Sequence, residues 1–94
     1  MNANEFEWDE AKAAVNICKH RVSFEVACYV FDDPAAIEEM DDSENYGEDR
    51  YNVIGSVSGR LLCVTYTIRG LRYRLISARK AEPHEQKRYH EQAR

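Results

Sequence analysis

Residues 71–81 read Leu71-Arg72-Tyr73-Arg74-Leu75-Ile76-Ser77-Ala78-Arg79-Lys80-Ala81. The first part is apolar, aromatic and β-branched enough to form a central strand. It nevertheless carries Arg72, Arg74 and Arg79, with Lys80 just beyond. Arginine is costly to bury unpaired. An arginine-laden strand in a small sheet therefore points to a surface for an anion. The plainer reading is that these arginines pair with the chain's own carboxylates.

The whole chain sets the terms of that choice. Its 94 residues are enough for one domain with a modest core. No run reaches the length of a transmembrane helix, and the opening M-N-A-N-E-F-E-W-D-E is too acidic and polar for a signal peptide, so a cytoplasmic protein is expected. Cys18, Cys28 and Cys63 share no Cys-x-x-Cys spacing and read as buried thiols. The net charge of −4 hides a division. Residues 1–49 hold 14 Asp or Glu against 3 Lys or Arg, a balance of −11; residues 50–94 hold 3 against 10, a balance of +7. A basic half fits nucleic acid or an acidic partner. On charge alone, pairing with its own acidic half is slightly favoured.

Outward from the strand, residues 50–57 and 60–68 alternate in the same way, separated by Ser58-Gly59 and Arg69-Gly70 turn signals. Three such runs predict an antiparallel meander. Upstream, 5–8 alternates and predicts a short opening strand, and Asp9 is placed to cap a helix reaching His20. On it Trp8, Ala11, Val15 and Cys18 form an apolar stripe, and Lys12, Asn16, Lys19 and His20 an adjacent polar one. Ser23 caps a second helix with Phe24, Ala27, Cys28 and Phe31 on its buried face, stopped at Asp32-Asp33-Pro34. Residues 35–39 suit an edge strand and 41–49 an acidic loop. Pro83 opens a last helix over about 83–92 with little apolar face beyond Tyr89. The class is α+β, with an αα-hairpin and the last helix packed on one face of the sheet.

Chemistry narrows by elimination. There is no phosphate loop, no carboxylate–histidine metal cluster and no Ser–His–Asp grouping, and His20, His84 and His90 lack metal-ligand spacing, so neither metal nor cofactor is expected. What remains is cationic: Lys12, Lys19, His20, Arg50, Arg69, Arg72, Arg74, Arg79 and Lys80. Converging Arg and Lys can hold a phosphodiester and stabilise in-line attack. In RNA the 2′-hydroxyl is the nucleophile, and His20, or a lysine or tyrosine of lowered pKa, can move the protons. Simple alternation puts Tyr73, Leu75, Ser77 and Arg79 on one face and Arg72, Arg74 and Ile76 on the other. Arg79, at the strand's end, is the preferred catalytic cation.

Six motifs in order resemble the BrnT family of toxins: F-E-W-D-E-A-K (6–12), N-I-C-K-H-R-V-S-F-E-V-A (16–27), F-D-D-P (31–34), R-Y-N-V-I-G (50–55), V-T-Y-T-I-R-G (64–70) and R-L-I-S-A-R-K-A (74–81). The resemblance implies a RelE-like fold and a ribonuclease that arrests translation. It implies a BrnA-type antitoxin whose ribbon-helix-helix domain binds operator DNA, and two toxin copies in the complex. Carried onto this chain it points to Trp8, Lys12, Asn16, Lys19, His20, Arg50, Arg69, Ser77 and Arg79. The chain departs from the family pattern in three ways. Arg21 stands where family members usually have glycine, Ile68 stands where they commonly have a carboxylate, and Glu82, Pro83 and His84 dilute a usually basic last helix.

The expectation is a metal-independent endoribonuclease using Arg79, Arg69, Lys12, His20 and Arg50, with Lys19, Lys80, Trp8, Asn16 and Ser77 binding RNA. The alternative is a catalytically weak or inactive member acting as co-repressor partner of a ribbon-helix-helix protein, which Ile68 and the acidic net charge favour. A plain RNA-binding module is a third reading.

Overall fold

The computed structural model describes residues 5–41 and 47–92. The elements are β1 (Phe6–Glu7), α1 (Glu10–His20), α2 (Phe24–Ala27) running into a 3-10 turn (Cys28–Asp32), β2 (Ile37–Asp41), β3 (Arg50–Val57), β4 (Arg60–Arg69), β5 (Arg72–Lys80) and α3 (Pro83–Gln92). Most of the expected acidic loop, residues 42–46, lies outside the described residues.

The expected meander is there as β3, β4 and β5, with β2 on its outer edge. The sheet is mixed, however, not antiparallel throughout. Its order is β1-β5-β4-β3-β2, and β1 runs parallel to β5, Phe6 opposite Tyr73 and Glu7 opposite Arg74. A two-residue strand carries no periodicity from which its partner could be read.

A β-bulge in β5 overturns the simple alternation. Thr65 faces Ser77 while Tyr66 faces Leu75, so Ile76 is an extra residue. Beyond it every side chain changes face. Directly opposed residues share a face, so Arg74, Ser77 and Arg79 join Thr67, Thr65 and Cys63. Tyr73 and Leu75 are joined by Ala78 instead.

The two faces bury different things. On one, Phe24, Ala27, Cys28 and Val30 pack with Val53, Leu62, Val64, Tyr66, Leu75 and Ala78. Phe31 stacks on Tyr73 with centroids 5.2 Å apart. On the other, Ile54 and Cys63 meet Ala81 and Tyr89. So α3 covers the second face, rather than joining the αα-hairpin on the first. Gly55 is buried where the 3-10 turn crosses β3: a Cβ there would come within 3.0 Å of the Val30 carbonyl oxygen. Gly55→Ala is expected to destabilise by about 1–3 kcal/mol in denaturant unfolding, because backbone cannot move aside as a side-chain tip can.

Local signals explain the helix ends. Asp9 accepts the Ala11 and Lys12 N–H groups at 2.8 and 3.1 Å, and Ser23 accepts the Val26 N–H at 3.1 Å. Arg21 ends α1 in the left-handed region, φ 60°, which glycine adopts at no steric cost. The expected apolar stripe of α1 is not its buried face. Ala13 and Asn16 are buried, while Ala11, Val15 and Cys18 are exposed. Cys18 thus departs from the reading of three buried thiols. Burial pushes Cys28 up to about 11 and, with Glu85 nearby, Cys63 up to about 12.

Candidate functional site

The second face of the sheet is polar where α3 does not cover it. Glu39, Asn52, Thr65 and Ser77 form one cross-strand row. Thr65 Oγ1 donates to Asn52 Oδ1 at 2.6 Å. Arg74 lies opposite Thr67 toward one end of β5, and Arg79 lies two residues beyond Ser77 toward the other. Asn52, Thr65 and Thr67 are additions to the sequence reading, which already had Arg74 among its cations. The signal for them was the polar half of the alternation in residues 50–57 and 62–67, whose alignment with β5 is masked by a bulge that composition does not reveal.

The arginines of this face are already paired. Arg74 donates to Glu7 at 2.7 Å across the β1–β5 pair. Arg50 donates to Glu48 at 3.2 Å, and Arg69 lies 3.7 Å from the other Glu48 oxygen. Arg79 is held most firmly: Nη1 and Nη2 donate to the two Glu85 oxygens at 2.8 and 3.0 Å, with Glu82 at 3.4 Å. Glu85 also accepts the Glu82 N–H at 2.8 Å, so it ties the start of α3 to β5. Burial alone would raise the Glu85 pKa; the bonds from Arg79 and the Glu82 N–H outweigh it and hold it at about 2. The same pair raises the Arg79 pKa. Internal pairing, the plainer reading of the charge division, therefore accounts for these four arginines. Arg79 as a free catalytic cation does not fit this arrangement, because its charge is met by a carboxylate in bidentate geometry.

The uncommitted cations lie elsewhere. A cleft of about 320 Å³ opens between α1 and the outer edge of β5, lined by Lys12, Asn16, Lys19, His20 and Ser77 on its polar side and Ala11, Val15 and Ile76 on its apolar side. Five of the sequence-derived candidates meet there. Among the described residues, Lys12, Lys19 and His20 have no carboxylate partner. Asn16 is a scaffold for the cleft rather than a contact surface. Its Nδ2 donates to the Val22 and Ala78 carbonyls at 2.8 and 2.9 Å, and its Oδ1 accepts the Ala78 N–H at 3.1 Å. Since β1 pairs only with Tyr73 and Arg74, the Asn16 amide stands in for a peptide group of a neighbouring strand. Trp8 also anchors: its Nε1 donates to Glu10 at 3.1 Å and its ring meets Phe24 edge-on at 5.8 Å.

Two tyrosines are shifted upward, away from the range of a general base. Burial and a hydrogen bond to Glu38 push Tyr66 upward, and a bond to Asp33 does the same to Tyr89. Ile68 is exposed at the end of β4, opposite Tyr73. A carboxylate there would stand on the other face from Thr65 and Ser77. Among the described residues no group of three or more His, Cys, Asp or Glu is placed to hold a metal ion. No helix among them is long and apolar enough to cross a membrane.

These features define a small α+β protein with a five-stranded mixed sheet, whose unpaired cations converge on a cleft suited to an anionic ligand. A family model described as the ribonuclease toxin BrnT of type II toxin–antitoxin systems matches residues 8–85. The chain belongs to the BrnT family of ribonuclease toxins, for which RNA is the substrate and an antitoxin the partner. No curated protein matches it.

Proposed function

We propose that this toxin is a metal-independent endoribonuclease that cuts RNA at the α1–β5 cleft. The observation that carries this is the convergence of Lys12, Lys19 and His20, without carboxylate partners among the described residues, beside Ser77. In the reaction the RNA 2′-hydroxyl attacks the adjacent phosphorus and the 5′-oxygen leaves. The Lys12 and Lys19 ammonium groups meet the charge that grows on the non-bridging oxygens. His20 moves the proton, and the Ser77 hydroxyl helps to seat the phosphate. Arg50, Arg69 and Lys80 attract the flanking strand, with Arg50 and Arg69 exchanging Glu48 for phosphate. Asn16 and Trp8 hold the cleft, and Arg79 holds α3. In place of a carboxylate at position 68, His20 is assigned the proton transfer.

Lys12→Ala is expected to slow RNA cleavage by about 100- to 1,000-fold, the effect of removing one donor to a developing oxyanion. Its unfolding free energy should change by less than about 0.5 kcal/mol, because Lys12 is exposed.

In the cell the activity stops translation. A BrnA-type antitoxin with a ribbon-helix-helix domain neutralises it and links two toxin copies to operator DNA. Induction of the chain without its antitoxin should arrest growth and translation, and co-expression of the antitoxin should restore both. A second reading, a catalytically silent co-repressor, is favoured by the carboxylate pairing of the four arginines on the second sheet face. Unchanged growth on induction would favour that reading and count against the enzyme.

A further inference from the structure

A second cleft, of about 470 Å³, lies between the β3–β4 turn and α3. Its lining includes Arg60, Lys80, His90 and Gln86, and no carboxylate. Arg60 and Lys80 are exposed. Neither side chain has an ion-pair or hydrogen-bond partner among the described residues, in contrast to the four arginines of the sheet face. The nearby acid is spent: Asp33 accepts the Tyr89 hydroxyl at 2.7 Å and the Ser56 and Ala35 N–H groups at 2.8 Å each. Lys80 lies three residue steps along β5 from Ser77 in the first cleft, about 10 Å along a strand.

A chain of net charge −4 that neutralises most of its arginines, yet leaves two neighbouring cations open in a concave site, has kept a place for an anion. We propose that this cleft is a phosphate subsite that grips the RNA backbone a short distance from the cut, with Arg60 and Lys80 each contacting a phosphodiester. The inference rests on the ribonuclease reading of the α1–β5 cleft and adds a substrate-binding site to it.

The test uses the full-length toxin, free of antitoxin, and a short single-stranded RNA with 2′-O-methyl groups throughout, which binds but has no nucleophile. Arg60→Gln and Lys80→Gln should each weaken binding by about tenfold. Together they should flatten the slope of log affinity against log salt by about 1.4, the loss of two single-strand phosphate contacts. Arg72→Gln, an exposed cation at the far end of β5, should leave the slope unchanged and so exclude a mere change of net charge.

Unchanged affinity and slope in Arg60→Gln and Lys80→Gln would overturn the subsite. If Lys12→Ala still slowed cleavage of ordinary RNA by about 100-fold or more, the ribonuclease reading would stand without it. An equal effect of Arg72→Gln would also overturn the subsite. So would inorganic phosphate displacing the oligonucleotide at equimolar concentration, which would assign the cleft to a free anion. Failure of the unaltered toxin both to bind the oligonucleotide and to cleave RNA would overturn both readings.

Discussion

Arg79→Ala is expected to lower the unfolding free energy by about 2–4 kcal/mol. The substitution leaves Glu85, 5% exposed, as a buried carboxylate without its guanidinium. Removing one partner of a buried pair costs about 3–5 kcal/mol, here discounted because the Arg79 side chain is 31% exposed. The pH dependence identifies the cause. Glu85 has its pKa held at about 2, below the ordinary 4.5. A carboxyl depressed in the folded state adds stability that is fully present above the ordinary value and is lost as pH falls toward the folded one. The native protein should therefore shed about 3 kcal/mol from this group between pH 5 and pH 2. In Arg79→Ala only the Glu82 N–H and the Cys63 thiol still hold the Glu85 pKa down against burial, and the loss should shrink. Asp33 and Glu39, also lowered, contribute with the same sign in both proteins. Denaturant unfolding at neutral and acidic pH measures the difference. Replacing Glu85 as well, in Arg79→Ala/Glu85→Ala, should recover part of the stability, because an unpaired buried charge costs more than no pair at all. Loss of activity in Arg79→Ala would thus report an unseated α3 unless stability is measured beside it.

Asn16→Ala should cost a similar amount, about 2–4 kcal/mol. It removes three hydrogen bonds and leaves the Val22 and Ala78 carbonyls and the Ala78 N–H without partners. Each buried group so orphaned costs about 1–3 kcal/mol, less where water from the adjoining cleft can reach it. For a chain of this size that is a fall in Tm of about 10–25 °C. Asn16→Asp should fail too, since a carboxylate can accept from Ala78 but cannot donate to the two carbonyls. A residue whose main duty was to touch RNA would show the opposite pattern: a normal melt and weakened binding. Thermal unfolding of the two variants separates these roles.

Much of the architecture was legible. The three alternating runs with Ser58-Gly59 and Arg69-Gly70 between them specify the meander, and Asp9, Ser23 and Pro83 mark helix starts through capping chemistry. The pairing of β1 was not legible, because Phe6–Glu7 is too short to carry a period. Nor was the bulge at Ile76: alternation is a local rule, and an inserted residue is defined only by the partner strand. That one residue moved Ser77 and Arg79 to the face of Thr65 and Cys63. The site was legible in part. Lys12, Lys19, His20 and Ser77 meet, as residues on one helix face and a strand edge can. Internal pairing of the sheet arginines was the plainer reading of the charge division, but which carboxylate meets which arginine was not legible, since Glu7, Glu48 and Glu85 lie far from most of them in sequence or on another element. Asn16 was read as a polar surface residue. Helical spacing alone does not show that an unpaired strand edge lies beneath it.

The central claim is that the α1–β5 cleft cuts RNA and does so without a metal ion. The direct measurement is the rate of RNA cleavage by the purified, antitoxin-free protein in excess chelator, for the unaltered chain and for Lys12→Ala, with melting curves for both. The account predicts undiminished cleavage by the unaltered chain and a fall of about 100-fold or more in Lys12→Ala at the same Tm. Cleavage that stops with the chelator, or that persists at full rate in Lys12→Ala, would contradict it.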